Sequence, residues 1–230
     1  MFAALRRRTS TTGRGQRGAV AVEAALVTPL LVTLVLGIIE FSLIMRDYVA
    51  VSSSVRVGAR IGSASPGAGP ATCTSPCTPP TAPALAQYAA DAIQQAGTAM
   101  PKDSIDHIFV YQANQKGYPA PGGTATTAIK DDTSTTMPAT TAQCASAANC
   151  VAYRWADASD RFLYASGSWA SSSIDACAVS AYSLGVYLHA THGNLTGFFG
   201  QTIGLGDRTV MKFEPLSTAT CNSAAISPHL

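Results

Sequence analysis

The longest run of hydrophobic positions lies near the start of the chain. Residues 19–45 are almost all apolar, and residues 24–39 carry no charge, with Glu23 and Glu40 bracketing the uncharged run. The run lacks the alternation of a strand, and a helix needs about 20 residues to cross a bilayer core. The pattern predicts a transmembrane helix over 19–45, with a buried helix of a soluble domain as the alternative. Pro29 is expected to kink or locally open this helix.

Apolar positions continue beyond this helix with heptad-like spacing. They recur at intervals of three and four residues, on Phe41, Ile44, Tyr48, Val51, Val55 and Gly58. Such a stripe predicts a helical extension over 46–62 that packs along one face. The stripe fits packing against neighbouring subunits, packing against the chain's own folded domain, or both.

The rest of the chain predicts a linker and a helix. Residues 63–82 are rich in Pro, Ser, Thr and Gly and cannot build a core, so they are interpreted as a linker. Residues 83–100 have the apolar spacing of an amphipathic helix, with Pro83 in its first turn and Pro101 at its end.

Alternating apolar positions then predict an antiparallel sheet. The expected strands cover 106–111, 151–155, 161–165, 182–189 and 209–213, with a hairpin between the second and the third. A short helix is expected from Asn194 to Gly204, and residues 114–149 are expected to form a long, mobile loop. The predicted fold class is α+β, a long N-terminal transmembrane helix followed by a small head at 83–230 with four or five strands.

Charge indicates which way the helix crosses the membrane. The chain has fifteen basic and thirteen acidic residues, and five arginines precede residue 19 without any acid beside them: Arg6, Arg7, Arg8, Arg14 and Arg17. The positive-inside rule therefore places the leader, residues 1–18, in the cytoplasm. The helix is expected to cross a cell membrane once, with the head outside. The remainder is net acidic, so no nucleic-acid partner is predicted. A cleavable secretory signal is a rival, but this apolar run is longer than such signals need.

The cysteines support the same placement. All six follow residue 72, at Cys73, Cys77, Cys144, Cys150, Cys177 and Cys221. An even number confined to the segment after the apolar run predicts disulfides on an oxidising side. The expected pairs are Cys144–Cys150, Cys177–Cys221 and Cys73–Cys77; reduced, buried cysteines of a cytosolic domain are the alternative.

A motif at the start of the apolar run carries a family resemblance. The segment RGQRGAVAVEAALVTPLL places Gly18 after basic residues, Ala19 next, and Glu23 five residues after the glycine. This resembles the cleavage signature of type IV prepilins. The segment GIIEF at 37–41 and the ending RTVMKFEP at 208–215 resemble TadE-like proteins of the tight-adherence pilus system.

The resemblance implies a processing and assembly function. A prepilin peptidase would cut between Gly18 and Ala19, and the mature chain would join a pilus or prime its assembly, with a pilin-like head. A carboxylate near a membrane is costly unless paired, and the amine released at Ala19 is a candidate partner for Glu23. Glu40 is a second candidate for assembly. For both glutamates, an interfacial or solvated carboxylate remains the alternative; for Glu40 this includes pairing with Arg46.

No pattern predicts an enzyme, a cofactor or a metal site. His189 and His192 would point to opposite faces of a strand and are expected at the surface. Asp131 and Asp132 are expected to be solvated, and the glycines of 13–18 lack the strand that a dinucleotide site requires. A signal-anchored surface protein with a small binding head is the runner-up to a minor pilin, and a secreted enzyme is third.

Overall fold

The computed structural model describes residues 14–71, 82–96, 100–197, 200–218 and 221. It divides into two compact units, one ending at Leu43 and the other beginning at Ile44. Each unit is described by itself below. The predicted Cys73–Cys77 pair and most of the basic leader lie outside the described residues.

The first element is a helix, α1, that begins at Arg14 and ends at Ser63. It covers the predicted transmembrane segment and the predicted extension. The assigned α-helix continues through Pro29, and the expected kink or local opening there stays a prediction. The hydroxyl of Thr33 donates to the carbonyl of Pro29, four residues earlier, at 2.8 Å. Pro66, three residues past the end, favours termination.

After the linker, the described residues form two further α-helices and five strands. Ala71 donates its N–H to the carbonyl of Ala82 at 2.9 Å, so the two described ends of the linker lie side by side. The elements are α2 (Ala84–Ala96), β1 (Ile105–Ala113), α3 (Thr141–Ser146), β2 (Cys150–Ala156), β3 (Arg161–Ser168), β4 (Ser183–Gly193) and β5 (Thr202–Lys212). The α+β fold class is confirmed.

The strands form one antiparallel sheet in the order β3-β2-β1-β4-β5. β1 lies at the centre because its residues are apolar on both faces, and eight of its nine residues are buried. The β2–β3 hairpin is confirmed. Its turn runs through Asp157–Ser159 to Asp160, which adopts the left-handed conformation that aspartate tolerates.

The helix predicted from Asn194 to Gly204 is wrong. β4 extends to Gly193, the described part of the connection consists of bends, and β5 already begins at Thr202. Gly197 and Gly200 both have positive φ, which suits a turn and not a helix. The side chain of Asn194 donates to the carbonyl of Gly200 at 2.9 Å across the connection, and this closes a hairpin between β4 and β5.

The main core lies between one face of the sheet and two helices, α2 and the part of α1 after residue 43. A Cβ on Gly58 would lie 2.7 Å from the Ile93 side chain of α2, and one on Gly62 would lie 2.6 Å from Leu184 of β4. The two glycines thus allow α1 to approach both neighbours closely. The buried side chains include Val51, Val55, Leu85, Ile93, Ile108, Val110, Leu184, Val186 and Trp169.

Residues 114–149 are not the irregular loop that the sequence suggested. They contain a 3₁₀ helix at Thr126–Asp131 and the short helix α3, which Thr140 caps by accepting from the N–H of Gln143. The Asn114 side chain holds the segment together. It donates to Asp132 at 2.8 Å and accepts from the N–H groups of Lys116 and Tyr118, each at 2.9 Å. Side-chain hydrogen bonds therefore organise this segment. A search for hydrophobic periodicity does not detect such bonds, so it does not predict the structure here.

Both disulfides that fall on described residues have the predicted pairing. Cys144 of α3 is bonded to Cys150 at the start of β2, and this ties the 114–149 segment to the outer face of the sheet. Cys177 is bonded to Cys221, and Ala176 also donates its N–H to the carbonyl of Cys221 at 2.9 Å. The second disulfide therefore fastens the chain beyond β5 to the segment that precedes β4.

Candidate assembly surface of the N-terminal helix

The predicted processing motif lies in the exposed first turns of α1. Gly18, Ala19 and Glu23 are all exposed, and a side chain on Gly18 would meet nothing within 4 Å. No packing of the described residues therefore competes with an external protein for this segment.

The apolar segment that follows is exposed as well. In the most apolar 18-residue window of this helix none of the residues is buried. The exposed large side chains include Leu26 (75% exposed), Leu30 (68%), Leu31, Val32, Leu34, Val35, Ile38 and Ile39. A soluble core helix would bury such residues, so the helix suggests a single-pass membrane anchor by its length and composition.

The two glutamates that bracket the uncharged run differ in exposure. Glu23 is exposed, whereas Glu40 is 1% exposed. The alternative in which Glu40 is a carboxylate that faces water is therefore wrong, whereas a role of Glu40 in assembly stays a prediction. Arg46, its suggested local partner, donates from Nε and Nη2 to Asp47 Oδ1 at 3.1 and 3.0 Å.

The predicted stripe divides into two groups. Ile44, Val51 and Val55 are 8%, 1% and 0% exposed and belong to the core of the head. Phe41 and Tyr48 are 56% and 42% exposed. Because an α-helix has 3.6 residues per turn and not 3.5, a heptad-spaced stripe drifts around the helix, and one packed face cannot bury all of it.

An exposed apolar patch remains on α1 where the head begins. Met45, Tyr48 and Val49 are 41%, 42% and 63% exposed. They are three and four residues apart, so their side chains adjoin on one side of the helix. Sequence reasoning identified Tyr48 but missed Met45 and Val49, because they fall outside the heptad.

An acid–base pair fixes α1 to the sheet, and sequence reasoning missed it. His192 Nδ1 of β4 lies 2.7 Å from Asp47 Oδ2, and the side chains are only 9% and 8% exposed. The prediction that His192 lies at the surface is therefore wrong. Only the register of β4 against α1 brings the two together, and no local sequence signal encodes that register.

The other face of the sheet carries a stack of rings. His107 lies between Phe109 and His189, with ring centroids 4.2 and 5.2 Å away, and is 5% exposed. Asp106 Oδ2 lies 2.7 Å from His189 Nδ1 and accepts from the Thr191 hydroxyl at 2.8 Å.

Burial, and next the neighbouring His189, lower the pKa of His107 to about 4. The ring is therefore neutral at ordinary pH. Among the residues that the structure describes, no group of three or more His, Cys, Asp or Glu side chains could hold a metal ion.

Comparison with known proteins gives one family match. The model of the family described as "TadE-like protein" matches residues 18–60. The matched range covers the predicted processing motif, the apolar segment and the start of the head, and it confirms the resemblance there. It does not reach 208–215, where the resemblance stays a prediction. No curated protein and no solved structure matches the chain.

Proposed function

From the TadE-like match at residues 18–60, we propose that this chain is a minor pilin or pseudopilin of a tight-adherence, type IV-like pilus. A prepilin peptidase cuts it between Gly18 and Ala19, and the mature chain associates with other pilus subunits and assembly proteins through α1. Its role is structural and not enzymatic.

The observation that carries the proposal is the position of the processing motif. Gly18 and Glu23 stand at the boundary between a basic leader and an apolar helix whose side chains are exposed. An exposed apolar helix of this kind is stable only in a bilayer or against other helices. A pilus subunit uses both environments in turn, first as a membrane protein and then as a packed subunit.

The orientation follows from the two ends of the chain. The arginine-rich leader favours the cytoplasmic side. The two disulfides of the head favour an oxidising compartment on the other side of the membrane. Phe41, Met45, Tyr48 and Val49 offer exposed apolar side chains to neighbouring subunits.

Glu23 provides the sharpest test. Cleavage leaves a positively charged amine on Ala19, about one helical turn from Glu23, and that amine on the same or a neighbouring subunit is the proposed partner of the carboxylate. We expect Glu23→Ala to enter the membrane and to be cut, because the change makes the segment more apolar and leaves Gly18 intact. The variant should nevertheless fail to copurify with pilus subunits, and Glu23→Gln should be impaired as well because it lacks the charge.

Glu214→Ala is the matched control, since it removes an exposed carboxylate from the head. It should copurify at the wild-type level. Mass spectrometry of the wild type should find Ala19 at the N-terminus. Copurification of Glu23→Ala at the wild-type level would contradict the assembly role, and an uncut chain in cells with an active prepilin peptidase would contradict the processing.

A further inference from the structure

The part of α1 that belongs to the head, residues 44–63, leaves one of its sides exposed. Its opposite side packs into the core through Val51, Val55 and Ala59. The outward residues, of which Ser52 is half-buried and the others are exposed, are Met45, Val49, Ser52, Ser53, Arg56 and Arg60. Since successive residues are about 100° apart around a helix, these six fall within an arc of about 100°. This arc, the outward face of α1, is about 22 Å long.

The outward face changes in chemistry along its length. It begins with two apolar side chains, Met45 and Val49, which are 41% and 63% exposed. In its middle the hydroxyl of Ser53 donates to the carbonyl of Ala50 at 3.0 Å, so this small side chain needs no other partner. Arg56 follows three residues later and begins a basic end. A helix that packs along this face therefore meets an apolar half, a step of small side chains, and a basic half.

The basic end of the face lacks a carboxylate. Among the described residues, neither Arg56 nor Arg60 forms an ion pair. Asp47, the one acidic residue of 44–63, is bonded to Arg46 and to β4. Like charges four residues apart destabilise a helix, and the helix dipole favours a cation only in the last turn, at Arg60. Contacts within the head therefore do not explain Arg56.

A second copy of the same helix does not fit this face. In parallel packing at the same level, each basic end would lie against the other, and the like charges would repel. In antiparallel packing, Arg60 would lie against Met45 of the copy and Arg56 against Val49 of the copy. The guanidinium groups would then lose water without gaining a carboxylate. Charge complementarity instead calls for a helix that carries acidic residues.

We propose that the outward face of α1 binds an acidic amphipathic helix of a different pilus subunit. Apolar side chains of that helix cover Met45 and Val49, and its carboxylates accept hydrogen bonds from Arg56 and Arg60. In a parallel partner the apolar residues precede the carboxylates by about two turns, and in an antiparallel partner they follow them. This inference rests on the proposed function and adds the class of subunit that α1 selects.

Photocrosslinking in cells that assemble the pilus tests the contact. The full chain carries p-benzoylphenylalanine in place of Tyr48, an aromatic residue that borders the outward face and is 42% exposed. In two further proteins the photoreactive residue replaces Thr135 or Phe41. Thr135 is the control, because it is exposed on the segment that covers the other face of the sheet, whereas Phe41 reports on the proposed function itself. Mass spectrometry identifies the crosslinked peptides and measures their yields.

Charge reversal tests the two arginines. We expect Arg56→Glu with Arg60→Glu to lower the yield of the Tyr48 crosslink about tenfold, because two charge-assisted hydrogen bonds are lost. Lys116→Glu with Lys130→Glu, at exposed lysines on the other side of the sheet, makes the same change in net charge and should leave the yield unchanged. Replacing the partner's carboxylates near the crosslink by lysine should restore the yield with the reversed arginines. Chemical unfolding of the head should be the same in both double variants and the wild type.

The proposal is supported by a Tyr48 crosslink to an acidic helix of another chain that arginine reversal removes and the charge swap restores. A crosslink to a second copy, a lipid adduct in place of a peptide, or an equal loss in both double variants would overturn it. Subunit crosslinks at Phe41 without any at Tyr48 would overturn the inference and leave the proposed function standing. No subunit crosslink at either position would overturn both.

Discussion

Two histidines three residues apart on β4 have opposite surroundings. His189 lies on the outer face beside Asp106, and His192 lies on the inner face beside Asp47. Alternation along a strand explains why one contributes to the ring stack while the other fixes α1. Position along the strand, and not residue type, thus determines the function of each side chain.

His107 provides a prediction at the scale of one residue. Its pKa is about 4 in the folded protein and 6.5 in an unfolded chain, so only the unfolded state takes up a proton between these values. The contribution of His107 to stability is complete above about pH 7 and decreases as the pH falls toward 4, by up to about 1.4 kcal/mol per pH unit. His107→Phe, which keeps a ring next to Phe109, should reduce this slope.

Chemical unfolding of the full chain in detergent at a series of pH values measures the effect. Above pH 7 the stabilities of wild type and variant should change in parallel, and this range serves as the internal control. Equal slopes between pH 4 and 6.5 would mean that the His107 ring is not held neutral by the fold.

Sequence patterns predicted individual residues where the signal is local. Cys144 and Cys150 are six positions apart, so their pairing was identifiable, whereas the assignment of Gly18, Ala19 and Glu23 as a processing motif stays a prediction. The Asp47–His192 pair joins residues 145 positions apart and depends on how the sheet is docked on α1. No short-range pattern carries that information.

At the scale of elements, the contact between α1 and α2 depends on glycine. We expect Gly58→Ala to destabilise the head by about 1–3 kcal/mol, because the new Cβ would lie 2.7 Å from Ile93 Cγ1 and 3.0 Å from the Ala89 carbonyl oxygen. The better helix propensity of alanine offsets up to about 1 kcal/mol of this.

Two further variants control this prediction. Gly37→Ala makes the same change in the same helix at a site where a Cβ meets nothing within 4 Å, and it should leave the unfolding of the head unchanged. Ile93→Ala removes both Cγ1 and Cδ1, the two Ile93 atoms nearest to the new Cβ, so in combination with Gly58→Ala it should cost less than the two single changes add up to. Additive losses, measured by chemical unfolding, would contradict a direct clash.

The elements that the sequence predicts best are those whose hydrophobic positions recur with a regular period. The first three strands were located to within a few residues, whereas β4 runs four residues past its predicted end and β5 begins seven residues before its predicted start. The prediction of a helix at 194–204 was wrong because this segment, with two adjacent phenylalanines between glycines, has no clear hydrophobic period. The positive φ of Gly197 and Gly200, which indicates a turn, is visible only in the folded chain. The 114–149 segment is organised by the Asn114 side chain and a disulfide, and neither produces a periodic pattern in the sequence.

At the scale of the whole molecule, the two disulfides should contribute unequally. Cys177 and Cys221 are 44 residues apart and Cys144 and Cys150 only 6. Loop-closure entropy of the unfolded chain then predicts losses of about 4 and about 2 kcal/mol when each pair is replaced by serines. Chemical unfolding of the two double variants measures the difference. If the double variant Cys144→Ser with Cys150→Ser lost more stability than the double variant at Cys177 and Cys221, contacts around α3, and not the entropy of the unfolded chain, would dominate the contribution of that disulfide.

The antiparallel course of β4 along α1 has a mechanical consequence. Within the head, His192 of β4 lies beside Asp47 and Leu184 lies beside Gly62, so a pull applied at Ile44 along the head's own part of α1 is nearly parallel to the row of contacts between these pairs. Such a load shears all of these contacts at once and does not peel them apart one by one. Resistance to forced unfolding is set by the unfolding rate and not by equilibrium stability. A head whose helix and sheet are joined in this way can therefore withstand sudden tension better than its free energy of unfolding alone would indicate.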